Sequence, residues 1–318
     1  MLKAGRPYSS AGMAETTRIL PFDAEAIAEA ARLIASGQPV AVATETVYGL
    51  AADATNAEAV ARIYEAKRRP SFNPLIVHVP DLAMAERIGR FAPQARELAE
   101  KHWPGPLTLV VPLRTNAAIA GLVTAGLSTI AIRVPAHSAM QALLRAADRP
   151  LAAPSANASG SISPTKAEHV MKTLGGRIPL IVDAGSTERG LESTIVAATD
   201  GRIRLLRHGP VQVEGAIEAE STGIEAPGQL ASHYAPSKPL RLNASEAEAD
   251  EFLIGFGEVS GAASLSPSGN LVEAAARLFE LLHAADESDK PRIAVAAVPN
   301  DGLGAAINDR LRRAAAPR

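Results

Sequence analysis

The chain has no cysteine among its 318 residues. That absence removes disulfides, thiolate zinc sites, iron–sulfur clusters and cysteine nucleophiles together. It fits a reducing compartment, and a cytoplasmic location is the expectation. Aromatic residues make up only 3%, which argues against the stacking platforms that bind single-stranded nucleic acid. No run of about 18 apolar residues occurs, so neither a membrane span nor a membrane partner is expected. An excess of one charge is lacking too: 32 Lys and Arg face 34 Asp and Glu, a formal net charge of −2. This balance excludes a strongly basic nucleic-acid coat, although not a local basic site. There is no GxxxxGK phosphate loop, no HExxH, and no GxSxG elbow around Ser155, Ser163 or Ser193. The seven histidines are scattered without metal-ligand spacing, so no protein metal site is expected.

What remains is a globular composition, 47% hydrophobic and 21% charged, with a length that suggests about two domains. Residues 1–16 carry Lys3 and Arg6 and no apolar segment, and are expected to form a flexible tail. Residues 17–220 alternate short Val- and Ile-rich runs with helical patterns, the mark of an α/β or α+β domain with a twisted sheet. Strands are expected at Pro39–Thr44, Leu75–Val79, Leu107–Leu113, Thr129–Val134, Leu180–Asp183, Thr194–Ala197 and Ile203–Leu206. Asp23 is placed to cap a helix from Ala24 to Ser36, and Gly37 to stop it. Thr55 and Glu58 read as a capping box, and Ser163 as the cap of a helix over Pro164–Leu174. Residues 221–239 shift to Gly, Pro and small polar residues, a linker or lid. Residues 240–318 return to a smaller βα pattern, a second α/β domain. Gly302 to Ile307 reads as a tight turn before its last helix, and the basic end (Arg310, Arg312, Arg313, Arg318) as cations solvating that helix.

Polar and basic residues gather where the strands end. Thr44 to Leu50 leaves a strand and closes on a glycine turn, as an ordinary strand exit also would. Lys67-Arg68-Arg69 ends a helix and runs into a turn stiffened by Pro70 and Pro74. The helix dipole accounts for one or two cations there; three in a row suit a polyphosphate, for which Arg offers bidentate donors and Lys a point charge. Along Thr129–Val134, Ile130, Ile132 and Val134 alternate with Thr129, Ala131 and Arg133. A lone Arg on one face suits a carboxylate, or simply solvent. Ala152 to Asn157, Leu191 to Thr194 and Arg207 to Pro210 are weak alone, but their shared position at strand ends points to one cleft.

Taken in order, these stretches resemble the YrdC-like family, and within it the long threonylcarbamoyl-AMP synthases. Trp103 to Thr108, Ser163 to Thr165 and the linker Pro227 to Pro236 carry the resemblance further, and it covers nearly the whole chain after residue 16. It implies a twisted mixed-sheet catalytic domain with a basic cleft, plus a small Rossmann-like C-terminal domain. It also implies a nucleotidyltransferase that converts L-threonine, bicarbonate and ATP to L-threonylcarbamoyladenylate, with Mg²⁺ accompanying the ATP. A downstream threonylcarbamoyl transferase would use the product to modify tRNA, and weak RNA binding in the cleft is a further expectation. By the same resemblance the threonine site is Thr46, His78, Arg133, the Ala153 backbone and Ser193. The ATP site is Arg69, Asn73, Thr129, Ser155, Ser163, Arg207 and Tyr234. Lys67 and Arg69 would supply catalytic charge, and Tyr234 would make the linker a lid; Arg68 has no role. Two rival readings are a non-catalytic RNA-binding module and a carbamoyl-transfer domain acting on carbamoyl phosphate.

Overall fold

The computed structural model describes residues 16–219, 223–230 and 232–317. The expected N-terminal tail, except Thr16, and Arg318 lie outside them. The chain opens with β1 (Arg18–Pro21), α1 (Ala24–Ala35), β2 (Val40–Ala43), β3 (Tyr48–Asp53), α2 (Ala57–Lys67) and β4 (Ile76–His78). Then come α3 (Leu82–Ile88), α4 (Pro93–His102), β5 (Leu107–Pro112), α5 (Gly121–Thr124), β6 (Thr129–Arg133), α6 (Ser138–Ala147) and β7 (Leu151–Ala152). α7 (Ala167–Leu174), β8 (Leu180–Asp183), β9 (Thr194–Ala197), β10 (Arg204–Arg207) and β11 (Ile217–Glu218) complete the first half. The C-terminal part holds β12 (Leu240–Arg241), β13 (Glu251–Gly255), β14 (Ala263–Ser264), α8 (Leu271–Glu287), β15 (Arg292–Val295) and α9 (Leu303–Ala315).

The first eleven strands form one mixed sheet in the order β1-β8-β2-β3-β7-β4-β6-β5-β9-β10-β11. The last four form a separate parallel sheet, β12-β15-β13-β14. Both the mixed α/β architecture and the second, smaller α/β unit agree with the sequence reading. The main core lies on one face of the large sheet, through Leu50, Ile63, Val77, Leu109 and Ile132. A second cluster joins α1 and α6 to β2 and β8, through Ile34, Val42, Leu143 and Val182. The core of the C-terminal unit takes in Val47, Ile162 and Leu191 from the first half and Tyr234 from the linker. The two units therefore share apolar packing.

Local chemistry explains the element ends. The Asp23 side chain accepts from Ala26 N at 2.7 Å, and Gly37 stops α1 in the left-handed region at φ +78, both as expected. Three expectations need correction. The cap of α2 is Asn56, which accepts from Glu58 N and Ala59 N; Thr55 instead gives its hydroxyl to Asp53 at 2.7 Å, so the proposed box does not form. α7 begins at Ala167 with Lys166 at its cap position, because Pro164 O is taken by Tyr48 N at 2.9 Å and the Ser163 hydroxyl by Glu192. Residues 48–53 form a buried strand where a glycine turn was expected. Its Gly and Ala residues have weak strand propensity, and pairing with β2 and β7 overrides it. The alternation of β6 holds: Ile130 and Ile132 enter the main core, Ala131 packs on the opposite side with Ile76, and Arg133 is buried toward the site.

Candidate active site

A cavity opens at the ends of β3, β4, β6 and β9. Nine of the thirteen expected site residues line it, and Glu192, Thr44 and His233 join them. The other four, Lys67, Asn73, Thr129 and Ser163, are not part of its wall.

The parallel register of β4 and β6 sets His78 beside Arg133. Arg133 is 3% exposed. Its Nη1 donates to Thr46 Oγ1 at 2.9 Å, its Nε donates to Gly105 O at 3.1 Å, and its Nη2 lies 2.6 Å from the Glu45 carboxylate. Burial pushes the Glu45 carboxyl up, but the charge of Arg133 and several hydrogen bonds outweigh it and hold the group below its ordinary range. Burial, and then the charge of Arg133, bring the His78 imidazole down to about 3, so it is neutral. Thr44 Oγ1 lies 2.8 Å from Thr46 Oγ1. Ser193 Oγ lies 2.7 Å from Thr108 Oγ1 and accepts from Arg207 Nη2 at 3.1 Å. The result is a pocket with a fixed guanidinium, small hydroxyls and a neutral ring, which suits an amino acid carboxylate and hydroxyl.

Beside it stand Arg69 and Arg207, both buried. Arg69 donates to the carbonyls of Asn73 and Pro74. Arg207 donates to the carbonyls of Ser193 and Pro227. Neither forms an ion pair with a carboxylate among the described residues; Glu45 is held by Arg133, and Glu192 by Arg310 at 3.0 Å. Burial lowers both guanidinium pKa values, that of Arg69 to about 10. Two buried cations with no carboxylate ion-pair partner among the described residues are costly, and an anionic ligand would offset that cost. Asn73 adds a side chain that is 1% exposed, with neither its oxygen nor its nitrogen partnered among the described residues.

Lys67 lies behind the wall. Its Nζ donates to Ser155 O and Asn157 O, both at 2.5 Å, and to Asn157 Oδ1 at 3.3 Å. All three ammonium protons are thereby used, and burial followed by the Arg69 charge pushes its pKa far down. It shapes the Ser155–Asn157 turn, and Ser155 does reach the cavity. Arg68 is the exposed left-handed cap of α2, outside the site as expected. Thr129 begins β6 while Arg133 ends it, so the two lie about 13 Å apart along the strand. Ser163 is buried and reaches the cavity only through Glu192.

The linker covers one side. Tyr234 is 0% exposed, with φ +62 and no hydrogen-bond partner for its hydroxyl among the described residues. Its ring packs on Phe279 at 5.6 Å, and the Ala235 N–H donates to Gly160 O. Gly228, at φ +84, passes so close that an added Cβ would lie 2.7 Å from Tyr234 Oη and 3.1 Å from Arg207 Nη1. Only glycine lets the strap approach the cavity in this way.

The sequence reading missed Glu45, Thr108, Glu192, His233 and Arg310. Arg310 is also a correction: it is fully buried, not a solvating cation, whereas Arg312 is exposed as expected. One signal could have found it. Ala306, Ile307, Arg310, Leu311 and Ala314 form a single helical stripe, and an arginine on such a stripe must have buried partners.

Residues 32–209 match the family model described as telomere recombination, that of the Sua5, YciO and YrdC proteins, and residues 202–316 match threonylcarbamoyl-AMP synthase, C-terminal domain. The threonylcarbamoyl-AMP synthase of Bacillus subtilis is 40% identical over 92% of this chain and 93% of its own. The chain belongs to the threonylcarbamoyl-AMP synthase family. The family member from Pyrococcus abyssi is 38% identical over 91% of this chain and 94% of its own. A crystal structure of Pyrococcus abyssi Sua5 complexed with L-threonine superposes with a TM-score of 0.85 at 35% identity, covering 94% of this chain and 97% of that one.

Proposed function

We propose that this chain forms L-threonylcarbamoyladenylate, pyrophosphate and water from L-threonine, bicarbonate and ATP. The observation that carries the reading is the pairing of two subsites in one cavity. Arg133, already fixed by Thr46 and Gly105, faces a threonine carboxylate, with Thr44, Thr46 and Ser193 in reach of its hydroxyl. Arg69 and Arg207, which form no ion pair with a carboxylate among the described residues, take the nucleotide phosphates, and Tyr234 lines the same cavity.

The chemistry asks little of a general base. The threonine amine takes up bicarbonate to give a carbamate and water; a carbamate oxygen attacks the α-phosphorus, and pyrophosphate leaves. Holding the reactants in line supplies about 7–11 kcal/mol in favourable cases. Fixed guanidinium donors stabilise the charge that develops on the phosphorus oxygens and on the leaving group. The strap with Tyr234 excludes water from a labile carbamate and mixed anhydride. Glu45 and Glu192 are both committed to arginines, and no group of three His, Asp or Glu among the described residues could hold a metal ion. Mg²⁺ would accompany the ATP and offset phosphate charge when bound. The activated carbamoyl product is then consumed by a transferase acting on tRNA. No helix among the described residues is long and apolar enough to cross a membrane. A cytoplasmic location is part of the proposed reading and does not rest on that.

Pyrophosphate release tests the reading, with threonine and bicarbonate each present or omitted. Release that needs both supports it. Release that ignores threonine, or AMP formation that requires carbamoyl phosphate, overturns it.

A further inference from the structure

Arg310 belongs to α9 of the C-terminal unit, yet it meets the wall of the cavity. Its side chain is 0% exposed. Nε donates to Glu192 Oε2 at 3.0 Å, and Nη1 donates to His208 O at 2.8 Å and to Asp309 Oδ2 at 3.0 Å. The guanidinium carbon lies 5.4 Å from the centre of the Tyr234 ring. Three separate segments are thus tied to one side chain: the approach to β9, the exit of β10 and the strap. Glu192 and Tyr234 line the cavity, and His208 follows Arg207, which also lines it. The second oxygen of Glu192 accepts from Ser163 Oγ. One helical turn on, Arg313 donates to Leu230 O, and its own carbonyl accepts from His233 N.

We infer that Arg310 is a positioning residue for the nucleotide subsite: it holds the Glu192 carboxylate away from Arg207 and seats Tyr234, so the C-terminal unit completes the cavity. This inference deepens the proposed function and rests on it. Arg207 is anchored through its Nε on the carbonyl of Ser193, the residue next to Glu192. A buried carboxylate that loses its arginine seeks another cation. Arg207 is the cation anchored beside it, and pairing there withdraws Arg207 from phosphate. Threonine is spared, because Arg133 has its own partner in Glu45.

The test uses the full chain and separate calorimetric titrations of ATP and L-threonine, with circular dichroism as the check on folding. Arg310→Met should weaken ATP by about tenfold or more, the usual loss when a charged hydrogen-bonding partner is removed. Threonine should stay within about twofold. Arg310→Met combined with Glu192→Gln should bind ATP better than Arg310→Met alone, since the stray carboxylate is gone. Arg310→Lys, which keeps the charge without the fork, should lose less than the methionine variant, and it carries the test if that variant does not fold. Equal weakening of both ligands, unchanged ATP binding, or additive losses in the double variant overturn the inference. A wild-type chain that binds no ATP overturns the proposed function, and this inference with it.

Discussion

Glu45 and Arg133 form an ion pair 2.6 Å apart, with side chains only 6% and 4% exposed. Arg133 is therefore held in place by the protein's own groups, and its charge is balanced by Glu45. Arg133→Lys keeps the charge but cannot reproduce the bonds to Gly105 O and Thr46 Oγ1 together. KM for threonine should rise by about tenfold or more, and KM for ATP should stay within about twofold. Equal rises would show that Arg133 does not face the amino acid.

Tyr234 separates stability from binding. Its hydroxyl is buried with no hydrogen-bond partner among the described residues, and a group left so costs about 1–3 kcal/mol. Tyr234→Phe removes that cost and keeps the ring against Phe279 and Arg310. Tm should hold or rise, whereas KM for ATP should rise by about tenfold. A fall in Tm with unchanged KM would mean that the hydroxyl serves the strap and not the ligand.

Lys67 tests indirect against direct action. Lys67→Met leaves Ser155 O, Asn157 O and Asn157 Oδ1 without their donor. Stability should fall by about 1.5–3 kcal/mol, and kcat should fall with it as the turn shifts. Added alkylamines should not restore turnover. Rescue by an amine would assign the ammonium to the reacting groups themselves.

The neutral buried histidines predict an acid limb in stability. Burial brings His78 and His283 from 6.5 down to about 3. The unfolded chain takes up these protons below about pH 6.5 and the folded chain does not, so each costs about 1.4 kcal/mol per pH unit between those values. Stability is complete above about pH 6.5 and declines as pH falls toward 3. His283 Nε2 lies 3.2 Å from Ser163 O, a contact that the amide of His283→Gln can keep without titrating. The variant should lose stability less steeply between pH 6.5 and 5 in denaturant melts; an unchanged slope would remove His283 from the account.

Much of the site was legible because its residues sit at strand ends in short polar runs. Thr46, His78, Arg133, Ser155, Ser193 and Arg207 all lie in such runs, and all line the cavity. Glu45 and Glu192 lie in the same runs, but only contacts distant in sequence give them a purpose: Glu45 meets Arg133, 88 residues on, and Glu192 meets Arg310, 118 residues on. The cap of α2 turns on a competition between neighbours: Asp53, two residues back, takes the hydroxyl of Thr55 and leaves the cap to Asn56, and Asp53 is itself tied to the distant Arg149 at 2.7 Å.

The sequence by itself determined the type of the elements whose periodicity it marks, though not that of residues 48–53, together with the alternation of β6 and the grouping of basic and hydroxyl residues at strand ends. Those features follow from local periodicity, from turn residues and from the short range of capping bonds. The tertiary structure decided which charges pair. Burial makes every unpaired charge expensive, so partners are set by whatever the fold brings within about 3 Å, however far apart they lie in the chain. That rule turned Arg310 from an expected surface cation into a buried link between α9 and the cavity, and left Arg69 and Arg207 as cations without carboxylate partners among the described residues.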